Sequence, residues 1–568
     1  MVSFSGWVTV LFVAVTYVVG NGVYAQVLPP GTRPSERPLP PPEFEKPEAV
    51  PELDLPSIPP ERERLAAMLR VFVREFRISG NTVFTTEELK TVTAPFENRE
   101  ITNNDLEEVR RQLTLHYINR GYINSGAVLP DQKIEDGVVQ IQIIEGRLTR
   151  IEVEGTEAFR PDYFSNRLQR RAGPPLNVWP LQEELQLLLQ SPLIEGVNAQ
   201  LGPGDRPGEA VLRTEVTEAR RWDFVTLFDN KISPSLGEAR LLLLGNLRNL
   251  AGRGDVLSAE LTWSEGINFG DDYKLRYRLP LTVSDTALSV YYEKGDAVVV
   301  EEPFSTLDIR TKVETRGVQI GHPVIRKPNN QLTLAAVLER RKSETFLLGT
   351  PFSFSPGVVN GEGAVSVLRL VQDWLLRGRS HVFFARSTLS FGIEAFDSTV
   401  NSGDLPDSQF VSWLGQMEWA WRFGTSGQQV SLRLYGQVSD DPLLPMEQFS
   451  VGGLDSVRGY RTNQLVRDEG WTASFQYQLP LFRNPTGLRN LQFAAFIDSG
   501  GARNKLGPNL GPNTLTGYGV GLIWNPSPKF STELYFSKAL DDVPSGGEHS
   551  IQDDGIYFRL IAHPFASR

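Results

Sequence analysis

Polar and apolar residues alternate with a period of two along the last part of the chain. In residues 471–479 every second residue is apolar, and the residues between them are Thr472, Ser474, Gln476 and Gln478. Residues 256–263 show the same pattern, and aromatic residues such as Trp263 end many of the segments. Strands of about ten residues with one apolar and one polar face are typical of a transmembrane β-barrel, although a soluble sandwich also alternates. The aromatic ends favour a barrel, which we assign to residues 219–568.

The alternation predicts sixteen strands, an even number that suits a closed single-chain barrel. They begin near residues 222, 238, 255, 272, 286, 308, 331, 361, 381, 409, 428, 471, 490, 514, 530 and 555. A barrel this wide leaves a lumen unless something fills it. The connection between the eleventh and twelfth strands, residues 439–468, is unusually long, and long loops tend to be functional.

Ahead of the barrel, the order strand, helix, helix, strand, strand occurs twice. The first copy has a strand at 71–78, a capping box at 85–88 that opens a helix, a second helix from about 104, and strands at 127–130 and 138–145. The second copy has a strand at 149–153, helices at 161–170 and 178–190, and strands at 197–201 and 210–216. A repeat of roughly 75 residues indicates two copies of one module, which we place at residues 71–146 and 147–218.

The N-terminus is predicted to be an export signal. Residues 7–19 are mostly apolar but too few to span a bilayer as a helix. Residues 23–25 suit a signal peptidase, so cleavage is predicted after Ala25 and the signal peptide is assigned to residues 1–25. A buried helix or a mispredicted start codon is the alternative, since no Lys or Arg precedes the apolar run. Residues 26–70 form a proline-rich linker that is expected to stay extended and solvated, with a short charged helix at 61–70.

Composition narrows the possible functions. The net charge of −11 argues against binding to nucleic acid. The chain has no cysteine, and its five histidines lack metal-ligand spacing, so we expect no disulfide, no metal and no cofactor. No nucleophile, base and metal stand together in the sequence, and we expect no enzyme.

The candidate site is the run Val457, Arg458, Gly459 and Tyr460, which interrupts strand-like sequence inside the long connection. A buried unpaired arginine would be costly, so Arg458 needs either solvent or a partner. Residues 491, 493, 495 and 497 form a consistent apolar face, which puts Asp498 on the lumen side of its strand. Asp498 is therefore a candidate partner for Arg458; the alternative is that Arg458 is solvated and Asp498 only lines the pore. Gly517, Gly519 and Gly521 also alternate within a strand and are interpreted as sites of close packing.

The paired modules, the run at 457–460, and Phe496, Asp498 and Gly500 in a second motif resemble the TpsB transporters of two-partner secretion. The resemblance implies α+β periplasmic POTRA repeats followed by an all-β, 16-stranded transmembrane barrel. It also implies that the sixth extracellular loop folds into the lumen, where Arg458 pairs with Asp498. Two features depart from the family. The proline-rich stretch leaves little room for the family's N-terminal plug helix, and Phe565 is followed by three further residues.

The function implied by the resemblance is secretion of an unfolded partner, a TpsA-type exoprotein, across the outer membrane, with activation of that partner as a further option. The POTRA modules would bind the partner in the periplasm, and the barrel would be a monomer that contacts outer-membrane lipid. No Gly-x-x-x-x-Gly-Lys-Ser/Thr motif is present, so the chain lacks that ATP-binding signature. An assembly or insertion factor of the same superfamily and a passive porin are the alternatives.

Overall fold

The computed structural model describes residues 33–36, 39, 44, 53–54, 70–160, 162–482, 490–507, 509, 511–543 and 548–565. The predicted signal peptide lies outside these residues, as does the predicted helix at 61–70 except for Arg70, which begins a strand. Contacts divide the chain into two units, residues 48–219 and residues 1–47 with 220–568. In the described part of the chain, no helix has the length and apolar character needed to cross a bilayer.

The unit at 48–219 contains two α/β modules. Its elements are β1 Leu53–Asp54, β2 Arg70–Val73, β3 Glu75–Ser79, α1 Thr86–Thr93, β4 Arg99–Thr102, α2 Asn103–Ile118, β5 Gly126–Val128, β6 Val138–Ile144, β7 Arg147–Glu154, α3 Asp162–Ala172, α4 Val178–Leu189, β8 Ile194–Pro203 and β9 Glu209–Glu218. The sheets have the orders β3–β6–β5, β2–β4 and β1–β8–β9–β7. The strand predicted at 71–78 is split at Arg74, whose backbone N–H leaves the ladder and donates to Gly137 O at 2.7 Å.

Helical periodicity positions the core of each module. On α2, Val109, Leu113 and Tyr117 are fully buried and pack with Phe76 and Ile141 of the sheet. Their spacing of four residues places them on one helix face. The second module repeats this arrangement with its own cluster of buried residues from α3, α4 and the sheet. Each module therefore has an apolar core of its own.

A carboxylate ties the first module together. Glu145 follows β6 and accepts hydrogen bonds from the Thr82 hydroxyl, from Thr82 N at 2.7 Å, from Val83 N at 2.9 Å and from the Tyr117 hydroxyl at 2.9 Å. Burial alone would raise the pKa of Glu145, but these hydrogen bonds outweigh it and lower the pKa below its ordinary value. The charged carboxylate thus links the turn after β3 to α2.

Replacing Glu145 with glutamine is expected to destabilise residues 48–219 by about 1–3 kcal/mol at neutral pH, because a charged acceptor of four donors is lost. A group whose folded pKa is depressed contributes stability above its unfolded pKa of 4.5, and this stability is lost as the pH falls through the folded pKa. The difference in melting temperature between Glu145→Gln and the parent should therefore shrink below about pH 4. Glu75→Gln, which removes only a surface pair with Arg77, is the control. An equal difference at pH 7 and pH 3 would contradict the prediction.

Backbone hydrogen bonds join the two modules. Val178 N donates to Gly121 O at 3.0 Å, and Leu176 N donates to Gly146 O at 2.7 Å. Gly121 has a φ of +91°, and a Cβ there would also collide with the Asn177 side chain. Only glycine fits this position without strain. The junction between the modules is consequently an interlocked one, in which backbone hydrogen bonds hold the two modules together.

The second unit is a closed barrel of sixteen antiparallel strands among the described residues. Its elements, with three short strands (β17, β22 and β23) outside the ring of sixteen, are β10 Trp222–Asp229, β11 Arg240–Arg248, β12 Val256–Ser264, β13 Ile267–Pro280, β14 Ala287–Val298, β15 Arg310–Lys327, β16 Asn330–Leu347, β17 Thr350–Pro351, β18 Glu362–Arg377, β19 His381–Ile393, β20 Val411–Phe423, β21 Gln428–Ser439, β22 Phe449–Val451, β23 Leu465–Arg467, β24 Glu469–Phe482, β25 Leu491–Arg503, β26 Thr514–Trp524, β27 Phe530–Ala539 and β28 Ile556–Ala562. We call the rim where β10 begins the near rim and the opposite one the far rim.

Side-chain parity in the barrel follows the predicted alternation. Trp471, Phe475 and Ile497 are exposed on the outer face, whereas Gln476 and Asp498 are buried on the inner face. The predicted fold class is confirmed, and fifteen of the sixteen strands begin within two residues of the predicted positions. The exception is β13, which begins at residue 267 instead of near 272, because Ile267 pairs with Ser264 ahead of a register shift that leaves residues 268–271 out of the ladder with β12.

The last strand closes the barrel by pairing with the first. β28 meets β10 over four residue pairs, from Thr226 with Ala562 to Asp229 with Arg559. Beyond this seam, the Phe565 ring packs edge-on against Trp222 with centroids 4.4 Å apart. The C-terminal aromatic therefore sits at the near rim although three residues follow it.

Candidate functional site: a charged loop inside the barrel

The long connection between β21 and β24 folds back into the lumen. We call residues 440–468 the inserted loop, residues 443–448 its base and residues 452–464 its tip. The short strands β22 and β23 pair with each other and separate the base from the tip. Val457 and Tyr460 of the tip are buried in one cluster with Leu515 of the barrel wall. The tip is therefore packed inside the barrel.

Arg458 and Asp498 form a bidentate ion pair. Arg458 is 2 % exposed; its Nε donates to Asp498 Oδ2 at 2.7 Å and its Nη2 to Oδ1 at 2.9 Å. Nη1 donates to Gln476 Oε1 at 2.7 Å, and the guanidinium lies over the Phe496 ring, 3.4 Å from its centroid. Two parallel charge-assisted bonds fix both orientation and position. The structure thus brings Arg458, Phe496 and Asp498 together; their role in transport stays a prediction.

The rest of the predicted motif docks the tip on the neighbouring strands. Gly459 has a φ of +105°, and its N–H donates to the Tyr557 hydroxyl of β28 at 3.0 Å. Tyr557 in turn donates to Tyr460 O at 2.5 Å, and the Tyr460 hydroxyl donates to Thr516 O of β26 at 2.9 Å. The tip consequently contacts β24, β25, β26 and β28.

Two glycines of the wall let the loop approach. A Cβ on Gly517 would overlap the carbonyl oxygen of Arg458. A Cβ on Gly500 would come within 2.9 Å of both Trp471 O and a methyl group of Val451. Gly517 therefore allows the tip to pack closely against β26, in line with the interpretation from the sequence. Gly500 allows the same close packing between β25 and β22.

Sequence reasoning missed two charged residues that flank the motif. Asp455 pairs with Lys231 and with Arg559, the latter at 3.2 Å. Arg461 pairs with Glu301 at 2.5 Å and Asp553 at 2.6 Å, both in far-rim loops. Asp455 lies three residues before Arg458 and Arg461 three residues after it. This regular spacing of charged residues in the sequence could have indicated further ion pairs of the tip.

Part of the proline-rich linker lies inside the barrel unit. Arg33 Nε donates to Pro445 O of the loop base at 2.9 Å, and Ser450 N donates to Ser35 Oγ at 3.3 Å. Leu39 is buried, and the Phe44 ring lies 3.9 Å below the guanidinium of Arg422 at the near rim. The expectation of a solvated linker is wrong for these residues. Pro34–Glu36 form a short 3₁₀ helix, and proline carries no backbone N–H, so this segment has few donors to satisfy beside the loop.

The fold and this site define a class of protein: a closed β-barrel that follows two α/β modules in the chain and holds an inserted loop in its lumen. The chain belongs to the family described as haemolysin secretion/activation protein ShlB/FhaC/HecB, which matches residues 208–523. The POTRA domain of ShlB type matches residues 71–146.

Relatives agree with this assignment. The heme/hemopexin transporter protein HuxB of Haemophilus influenzae (strain 86-028NP) is 25% identical over 509 residues, 82% of each chain. The outer membrane transporter CdiB of Dickeya dadantii is 24% identical over 464 residues, 79% of each chain. Among solved structures, CdiB from Escherichia coli superposes with a TM-score of 0.65 at 22% identity, covering 90% of this chain and 94% of that one. BamA from Haemophilus ducreyi lacking POTRA domains 1–3 reaches 0.54 at 15% identity, covering 87% of this chain and 100% of that one, which shows the shared fold alone.

The chain is therefore a two-partner secretion translocator of the outer membrane, and the predicted family, function and localisation are confirmed. Its POTRA modules lie in the periplasm.

Proposed function

We propose that the partner is an unfolded, TpsA-type exoprotein that binds first as an extended strand on a POTRA sheet edge and then crosses the lumen as the inserted loop shifts. The observation that carries the proposal is the inserted loop itself. It occupies the lumen, yet ion pairs and hydrogen bonds hold it without a covalent link.

A sheet edge supports the first step. β5 is one of the two outer strands of the order β3–β6–β5; Val128 on it is 41 % exposed, and Ala127 N donates to the Thr114 hydroxyl of α2 at 3.1 Å. An edge strand offers backbone N–H and C=O groups to an incoming chain, which gives affinity with little demand on sequence. This suits a partner that arrives unfolded.

The proposal includes no enzymatic step: the chain binds and conducts its partner. It also treats the working unit as one barrel in contact with outer-membrane lipid. Its support is that β10 and β28 of the same chain close the ring and that the outward faces carry apolar residues such as Phe475.

The test is co-expression of this chain with a candidate TpsA-type exoprotein, chosen as a large exported protein. The partner is expected in the medium only when this chain is present, at a level that does not depend on other barrel proteins. A passive porin would instead conduct small solutes steadily in planar bilayers without the partner. An assembly factor would instead deplete other outer-membrane proteins when deleted. Either result, with no partner in the medium, would overturn the proposal.

A further inference from the structure

The inserted loop has a second buried ion-pair site, at its base. Glu447 is 2 % exposed and lies between two arginines of neighbouring strands. Arg341 of β16 donates from Nη1 to Glu447 Oε1 at 3.0 Å. Arg369 of β18 donates from Nη2 to Oε1 at 2.8 Å and to Oε2 at 3.0 Å. One loop carboxylate thus bridges two wall strands.

Four charged side chains balance one another at this site while the loop is docked. Glu339 of β16 accepts from Arg369 at 3.2 Å and from the Tyr291 hydroxyl at 2.6 Å. Together with Glu447, these side chains carry two positive and two negative charges; without Glu447 they carry two positive and one negative. Buried charges without compensation are costly, so the wall favours the docked base.

The two sites stand on different parts of the barrel. In the ring of sixteen strands, β16 and β18 are the seventh and eighth, whereas β24 and β25, which hold Arg458, are the twelfth and thirteenth. The polarity is also reversed: the loop supplies the anion at the base and the cation at the tip. We propose that Glu447 is a second positioning residue, which holds the base on β16 and β18 independently of the contact between Arg458 and Asp498.

Single cysteines can report on each part of the loop, since the natural chain has none. Leu444→Cys places a thiol at a fully buried position of the base, and Val457→Cys does so at the tip. The full-length barrel in liposomes is treated with a water-soluble maleimide. Adding Glu447→Gln is expected to speed labelling of Leu444→Cys about tenfold or more. Adding Arg458→Ala is expected to expose Val457→Cys and to leave Leu444→Cys protected.

A double variant separates positioning from charge balance. Glu447→Gln with Arg369→Gln leaves Arg341 and Glu339, so the wall is neutral again. If Glu447 only balances charge, this variant protects Leu444→Cys as the parent does, and the proposal fails. If Glu447 positions the base, Leu444→Cys stays reactive in the double variant, whereas Glu447→Asp restores protection. The proposal also fails if Arg458→Ala exposes both thiols, because the sites would then act as one. None of these measurements uses the partner, so they stand or fall apart from the proposed function.

Discussion

Replacing Arg458 with alanine is expected to lower the amount of partner protein in the medium about tenfold or more, with normal amounts of barrel in the outer membrane. Removing one member of a buried, hydrogen-bonded pair costs about 3–5 kcal/mol, because the remaining charge stays buried without compensation. That is about a hundredfold or more in the docking equilibrium of the tip. The docked tip contacts β24, β25, β26 and β28. Undocking of the tip therefore removes contacts from four strands on this side of the lumen.

Variants of the pair sharpen this test. Arg458→Lys keeps the charge but not the two-pronged donor, and an intermediate loss is expected. Asp498→Arg should match Arg458→Ala, and the exchange Arg458→Asp with Asp498→Arg should restore part of the secretion. Arg503→Ala is the control, since that side chain is 72 % exposed at the far rim. Normal secretion by Arg458→Ala at normal barrel levels would refute the role of the pair.

A second large decrease in secretion is expected from Gly517→Ala, which adds a single methyl group to the barrel wall. Gly517→Ala places a Cβ where the Arg458 carbonyl oxygen lies, so the tip cannot dock although every charge is retained. Overpacking of this kind costs about 1–3 kcal/mol or more, and here the loop yields more easily than the barrel wall. We expect secretion to fall severalfold, which is less than the loss expected for Arg458→Ala because the cost to docking is smaller.

Gly245→Ala is the matched control for Gly517→Ala. Gly245 also lies within a barrel strand, but a Cβ on it would meet no atom within 4 Å. Partner protein in the medium and barrel abundance should both equal the parent. Equal secretion by the two glycine variants would show that close approach of the loop to β26 is not required.

The barrel strands and the contact between Arg458 and Asp498 were predictable because they depend on the local alternation of polar and apolar residues. Period-two alternation determines which face each residue occupies, and this placed Asp498 in the lumen before any contact was known. The ion pair could then be predicted because Arg458 lies in a connection long enough to reach the lumen, where Asp498 is an acidic side chain on the inner face. Phe496 joined them because it shares the inner face with Asp498 and stacks on the guanidinium.

The remaining contacts depend on tertiary placement, which alternation does not encode. Glu447 meets Arg369 across 78 positions of sequence, and nothing in the local pattern distinguishes it from a solvated loop acid. The proline-rich linker was expected in solvent because its composition cannot form a core, yet residues such as Leu39 are buried in a space supplied by the barrel and its loop. In both cases the partner surface exists only after folding.

The interlocked junction between the POTRA modules has a consequence for affinity. Modules on a flexible linker must be ordered relative to each other each time one chain binds both, and this ordering reduces the free energy of binding. Here the backbone bonds at Gly121 and Gly146 have already fixed the two sheets in one orientation. Under the proposed function, a partner strand held by one module meets the other at a constant effective concentration, so that two weak contacts act as one strong contact.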